Sequence, residues 1–263
     1  MEVQSDLLKK AVPPSVTVLI PAYNEESRIG TVLNELTDYI KGASVDWNII
    51  VSIDGSDGTE DVVKRLSKDY PFILYDKSNS RSGKGLAIKR VVEKSDKEYI
   101  LIMDADSSIC FPDILSSFSD IDGYDMIIFN RYSNNMNNIP FVRRAASRTF
   151  NIIVKAALGI QVEDTQSGYK LIKTSLAKEA FHRISVTDPT YDVALLYYAK
   201  QLGGRFKEVG VKYNHDQSSK FNVVLLSIGM GISLLAFRVR HSRFYKYVPK
   251  WATELYQRKF RWI

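Results

Sequence analysis

The chain has 263 residues, 45% apolar and 25% charged, with a formal net charge of +6. That is ordinary globular usage, long enough to bury the core of one large domain or of a domain with an appendage. A single cysteine, Cys110, excludes an internal disulfide and fits a reducing cytosol, and Met1 to Pro14 lacks the apolar stretch of a signal peptide.

Val16 to Ile20 is a β-branched run stopped by Pro21 and reads as a first strand. Asn24 and Glu25 lead into a helix with Ile29, Val32, Leu33 and Leu36 on one face. Asn48 to Ile53 forms a second strand that exits at Asp54-Gly55-Ser56, and Asp61 to Leu66 is helical. Phe72 to Tyr75 is a third strand, and Gly83-Lys84-Gly85 opens a helix through Ala87, Ile88, Val91 and Val92. Tyr99 to Met103 is a fourth strand ending in Asp104-Ala105-Asp106, and Met126 to Phe129 is a fifth, closed by Arg131. Beyond Ser133 comes an Asn-rich loop, then a basic helix from Phe141 with Arg143, Ser147 and Asn151 spaced to share a face. Shorter strands are expected near Gly168–Ile172 and Phe206–Val211. Strands alternating with helices over short connections predict a three-layer α/β fold on a parallel sheet.

Val223 to Phe237 is uncharged over fifteen residues, short of the ~20 that a spanning helix needs. A buried, an interfacial and a re-entrant helix remain open. Arg238 to Ile263 carry eight cations against Glu254 alone, a net +7; the whole chain is +6, so the first 237 residues sum to −1. Tyr245, Tyr247, Trp251, Tyr256, Phe260 and Trp262 interleave with those cations. Nucleic acid would suit the charge, but aromatics beside Lys and Arg after an apolar helix favour an anionic membrane surface.

The strand exits carry the chemistry. No G-x-G-x-x-G follows the first strand and no P-loop appears, which argues against hydride transfer and P-loop chemistry. Instead Pro21-Ala22-Tyr23-Asn24-Glu25, Asp54-Gly55-Ser56 and Asp104-Ala105-Asp106 form an acidic rim at the carboxyl ends of strands, where open α/β sheets bind ligands. Asp104 and Asp106 are two hard oxygen ligands one residue apart, suited to Mg²⁺ or Mn²⁺ shared with a phosphate. His182, His215 and His241 lack metal-ligand spacing.

IPAYNEE at 20–26, DGS at 54–56, SGKGLA at 82–87, DAD at 104–106 and DTQSGYKL at 164–171 make the chain resemble glycosyltransferase family 2. Within that family it is similar to the dolichyl- and polyprenyl-phosphate glucosyl- and mannosyltransferases. The resemblance implies a GT-A fold, a Rossmann-like α/β/α arrangement with a mostly parallel sheet. An N-terminal extension would fill 1–15, the transferase domain 16–220, and a membrane-associating helix and tail 221–263.

It also implies roles. Pro21, Ala22, Tyr23, Glu25 and Asp54 would bind base and ribose of a nucleotide sugar. Lys84, Gly85 and Ala105 would approach the diphosphate, with Gly83 giving the backbone room. Asp104, Asp106 and Asp164 would be catalytic, the first two by holding Mg²⁺ or Mn²⁺ and Asp164 by orienting a sugar hydroxyl or the reacting phosphate. Gln166 would lie by the sugar, and Ser219-Lys220 would reach the diphosphate. Arg131, Arg143 and Ser147 would hold the acceptor phosphate, with Arg144 and Arg148 as alternatives. The implied reaction is inverting: sugar moves from a nucleotide sugar, UDP-glucose favoured, to a polyprenyl or dolichyl phosphate at the cytoplasmic face of a membrane. A lipid phosphate, with a second pKa near ~6, is already largely ionised, so no general base is required.

Some residues depart from the pattern. Ile53 stands where an Asp is usual, the loop to Asp57 is one residue short, and Ala194 replaces an acidic residue after Asp192-Val193. Two other readings therefore stay open. One is transfer to a saccharide or glycolipid hydroxyl, with Asp164 or Asp192 as base; the other is a degenerate, membrane-associated binding protein.

Overall fold

The computed structural model describes residues 14–78, 82–133, 141–184, 191–214, 223–242 and 245–249. Strands β1 (Val16–Ala22), β2 (Trp47–Ile53), β3 (Ile73–Lys77), β4 (Tyr99–Ile102), β5 (Met126–Asn130), β6 (Lys170–Lys173) and β7 (Phe206–Gly210) form one sheet in the order β3-β2-β1-β4-β6-β5-β7. All neighbours are parallel except β6, which runs antiparallel to β4 and β5.

The strand order reverses between β1 and β4. The chain builds outward to β3, then returns to add β4 on the other side of β1. Loops leaving the carboxyl ends of these two strands diverge, and the crevice between them is the place such sheets offer a ligand.

Eight helices are described: α1 (Glu26–Ala43), α2 (Thr59–Asp69), α3 (Lys84–Lys94), α4 (Phe111–Ser116), α5 (Phe141–Leu158), α6 (Thr174–Arg183), α7 (Tyr191–Gln201) and α8 (Val223–Arg240). Alternation along the strands divides the core. Val16, Val18 and Ile20 pack with Ile29, Leu33 and Leu36 of α1, Val63 of α2 and Ile114 of α4. Leu19, Ile100 and Ile102 face the other way, onto Ile88 of α3, Phe150 of α5, Phe181 of α6 and Leu195 of α7.

Three expectations change. β1 does not stop at Pro21; it continues to Ala22, with Pro21 opposite Ser52 of β2. Pairing with β4 ends at Leu19, so the missing N–H of Pro21 leaves no ladder bond unmade. α4, α6 and α7 were not anticipated; α4 has only six residues, and α7 is buried almost all round and shows no amphipathic period. α8 joins the second core through Met230, Leu234 and Phe237, while Leu235 and Val239 stay exposed. No helix among the described residues is long and apolar enough to cross a membrane.

Candidate functional site

The loops after β1 and β2 are stitched together before any ligand is considered. Asn24 takes a left-handed φ of 58°, and its Oδ1 accepts the Ser56 N–H at 3.1 Å. Gly55 is needed here: a Cβ on it would lie 2.3 Å from Asn24 Oδ1. Thr59 Oγ1 takes the Glu25 N–H at 2.9 Å. Asp57, one residue early in its motif, accepts the N–H groups of Glu26 and Thr59 at 3.1 Å each, so its carboxylate organises the starts of α1 and α2. Ile53 is fully buried in the core, so the Asp missing there leaves no gap in the crevice.

Asp54 is similarly committed. Its oxygens accept the Ser82 N–H at 2.9 Å, the Ser82 hydroxyl, and the Gly83 N–H at 3.0 Å. Arg90 of α3 closes the set. It bonds Asp54 at 3.1 Å, Asp76 at 2.6 Å, and the hydroxyls of Ser82 and Ser52 at 2.7 and 3.2 Å. Asp54 therefore shapes the turn into α3, and Arg90 holds it there.

The exit of β4 carries the pair of aspartates. Asp104 Oδ1 meets Lys84 Nζ at 2.5 Å. Its Oδ2 lies against Gly168, where a Cβ would come within 1.9 Å. Asp106 Oδ1 accepts the Ser108 N–H at 3.1 Å and the Tyr169 hydroxyl at 3.3 Å. Burial, with the negative field of both aspartates, pushes the Tyr169 phenol far up, so it stays a donor. Burial would raise Asp104, but Lys84 and, further off, Arg131 and Lys170 outweigh it and hold the carboxyl below its ordinary range.

These groups surround one cavity of about 360 Å³, within the range of small-ligand sites. Pro21, Ala22, Tyr23, Glu25, Asp54, Gly83, Lys84, Asp104, Ala105 and Asp106 line it, with Arg28, Ser52 and Ala87 added. Glu25 is raised by burial, offset in part by Arg28, which bonds it at 2.8 Å. Gly85 is buried one residue into α3, outside the lining. Gln166 also lies outside it, with Nε2 2.8 Å from Met230 Sδ of α8.

Among the described residues no third His, Cys, Asp or Glu joins Asp104 and Asp106. Two carboxylates at the mouth of a cavity fit a divalent ion whose remaining ligands come from phosphate and water.

A second constellation lies beyond β5. Arg131 grips Asp164 through Nε and Nη2 at 2.8 Å each and through its backbone N–H at 3.0 Å, and Asp164 is fully buried. Glu208 of β7 accepts the Glu163 and Asp164 N–H groups at about 3.0 Å. Asn151 of α5 donates to the Glu163 carbonyl at 2.6 Å. Asn151 therefore ties α5 to this loop. Ser147 is half-buried one turn earlier; the Arg143 side chain lies outside what is described, as do His215, Ser219, Lys220 and the tail aromatics from Trp251 on. Lys170, 1% exposed, pairs with Asp192 at 2.5 Å, and Ala194 is packed into the core of α7.

The residues that sequence reasoning missed are supporting ones. Gly168, Tyr169 and Lys170 sit inside the quoted DTQSGYKL stretch, which was the available signal. Arg90 and Glu208 carry none, since each looks like an ordinary surface charge on its element.

The model described as "Glycosyl transferase family 2" matches residues 17–181. Dolichyl-phosphate beta-glucosyltransferase ALG5A of Trichomonas vaginalis is 28% identical over 243 residues, covering 87% of this chain and 75% of that one. The dolichyl-phosphate beta-glucosyltransferase of Dictyostelium discoideum is also 28% identical over 243 residues, covering 86% and 74%. Among solved structures, glucosyl-3-phosphoglycerate synthase from Mycobacterium tuberculosis, in complex with Mn²⁺, UDP and glucosyl-3-phosphoglycerate, superposes with a TM-score of 0.67 at 18% identity, covering 89% of this chain and 83% of that one. Mannosyl-3-phosphoglycerate synthase from Rubrobacter xylanophilus gives 0.64 at 16% identity, covering 93% and 80%. The fold is the GT-A arrangement that the motifs led us to expect.

Proposed function

The chain belongs to glycosyl transferase family 2 and is a glycosyltransferase, and we propose that it moves glucose from UDP-glucose to a polyprenyl or dolichyl phosphate, with inversion. One observation carries the choice of acceptor. The two carboxylates that could serve as general base toward a hydroxyl are both spent: Asp164 is fully buried against Arg131, and Asp192 is paired with Lys170. A hydroxyl acceptor needs such a base; a lipid phosphate, ionised near pH 7, does not.

The donor enters the cavity lined by Tyr23, Glu25, Asp54 and Lys84, and the base and ribose lie against the β1 and β2 exits. Asp104 and Asp106 would hold Mg²⁺ or Mn²⁺, which when bound neutralises charge growing on the departing diphosphate. UDP-glucose as donor is supported by the glucosyltransferase relatives and by the UDP and Mn²⁺ of the fold neighbour. Arg131, Arg143 and Ser147 lie on the acceptor side; Arg131 reaches that role with its guanidinium already oriented by Asp164.

The acceptor's lipid tail requires a membrane. α5 and α8 pack together, contain no acid, and expose Ile152 at 65% and Leu235 at 62%, with Arg148 and Arg238 exposed nearby in sequence. That combination suits peripheral association with an anionic, cytoplasmic leaflet. Residues 16–220 would be the catalytic unit and 221–263 the membrane-facing extension.

The test is extraction of labelled product. Purified protein with Mg²⁺ or Mn²⁺, polyprenyl phosphate and a panel of labelled nucleotide sugars should yield organic-soluble label from UDP-glucose, lost on chelation. Label in a saccharide instead would transfer the assignment to a hydroxyl acceptor. No product from any donor, despite UDP binding, would mark a binding protein. A second expectation concerns Arg90. Arg90→Lys keeps the charge but loses the planar fork, so UDP affinity should fall roughly tenfold by calorimetry. An unchanged Kd would show that Ser82 and Gly83 hold Asp54 unaided.

A further inference from the structure

Lys84 is the first residue of α3, and its ammonium lies 2.5 Å from Asp104 Oδ1. The opposite oxygen, Oδ2, is walled off by the Gly168 backbone, where even a methyl group would come within 1.9 Å. One oxygen of Asp104 is thus backed by Gly168 and the other is capped by Lys84, in a side chain that is still 32% exposed. A divalent ion can take Oδ1 only by displacing Lys84.

The anchor of Lys84 is fixed while its head is not. Gly83, at φ 83°, is pinned by its N–H to Asp54 Oδ2 at 3.0 Å, which sets the start of α3. From there a four-carbon stem can swing the ammonium across the cavity that Lys84 itself lines. The Lys84 side chain is 40% exposed, so it is not locked by packing. A diphosphate in that cavity carries more negative charge than one carboxylate and competes for the same ammonium.

We propose that Lys84 is an exchangeable counter-cation: it neutralises Asp104 in the donor-free protein, moves to the donor diphosphate on binding, and so couples metal binding to nucleotide binding. The inference rests on the donor and metal reading given above. Donor-free protein binds divalent ions weakly, because the ammonium already holds their ligand. Nucleotide draws the ammonium away and uncovers Oδ1. By linkage the metal then raises nucleotide affinity by the same factor.

The experiment measures Mn²⁺ affinity by the EPR signal of the free ion, with and without saturating UDP, for the full chain and for Lys84→Met and Lys84→Arg. Lys84→Met keeps the apolar stem and removes the charge. Its UDP-free Mn²⁺ affinity should rise about two- to fivefold, as expected when a partly exposed ion pair no longer has to be broken, and UDP should then improve Mn²⁺ binding by a smaller factor than in the unaltered protein. Lys84→Arg should stay near the unaltered protein in UDP-free Mn²⁺ binding. If the unaltered protein binds Mn²⁺ with UDP but Lys84→Met shows unchanged UDP-free affinity and the same UDP effect, the exchange is refuted while the metal site stands. If the unaltered protein binds no Mn²⁺ even with saturating UDP, the metal reading fails and the exchange with it.

Discussion

Gly168→Ala is expected to lower turnover by roughly a hundredfold while leaving the protein folded. A Cβ at this position would lie 1.9 Å from Oδ2, 2.6 Å from Cγ and 2.9 Å from Oδ1 of Asp104. The φ of Gly168 is not in the left-handed region, so alanine meets no backbone penalty. The three nearest atoms all belong to the Asp104 side chain. An aspartate has a single methylene to yield with, so its carboxylate must rotate away from the cavity. Overpacking of this kind costs about 1–3 kcal/mol of stability. The larger loss is functional, because Asp104 leaves the geometry it shares with Asp106. Thermal melts and steady-state turnover on the same preparation check both halves. Ordinary turnover in the alanine variant would mean that the 164–169 loop gives way freely and that Gly168 does not wall Asp104.

The second large effect is on stability. Arg131→Ala removes both side-chain bonds to a carboxylate that has no solvent exposure, leaving Asp164 with the N–H of residue 131 and, among the described residues, no paired opposite charge. Breaking a buried pair from one side costs about 3–5 kcal/mol. Urea denaturation should show that loss as a lower midpoint at an unchanged slope. Replacing both partners, Arg131→Met with Asp164→Leu, should restore more than half of it, because no uncompensated charge then remains. The double variant should still fail to transfer sugar, since the acceptor side has lost its cation. A double variant as unstable as the single one would point to the backbone of the 163–165 loop, held by Glu208 and Asn151, as the true support.

All seven strands were legible: β1, β2, β4 and β5 are short, mostly apolar runs, and β3, β6 and β7, though they carry charged residues, still hold apolar residues between polar or glycine neighbours, a local signal. The direction of β6 was not. Lys170-Leu171-Ile172-Lys173 reads the same whether it runs parallel or antiparallel, and only its pairing with β4 and β5 reveals which. Lys170 carries no local sign of burial; its strand position turns it inward, onto Asp192. The cavity was legible to a similar degree. Ten of the residues expected around the donor line it, because strand exits in a parallel sheet converge on one edge. Gly85 and Gln166 fall outside, one drawn into α3 and the other turned toward Met230.

The sequence by itself determined where acidic residues leave the strands, since strand ends and their polar exits are set by neighbouring residues. Only the tertiary structure decided which cation each acid meets, at the strand exits and elsewhere. Lys84 and Asp104 are 20 residues apart, Lys170 and Asp192 are 22, and Arg131 and Asp164 are 33. Such pairs are made by strand order, register and helix crossing. They separate the aspartates that face a ligand from those spent on holding the loops in place.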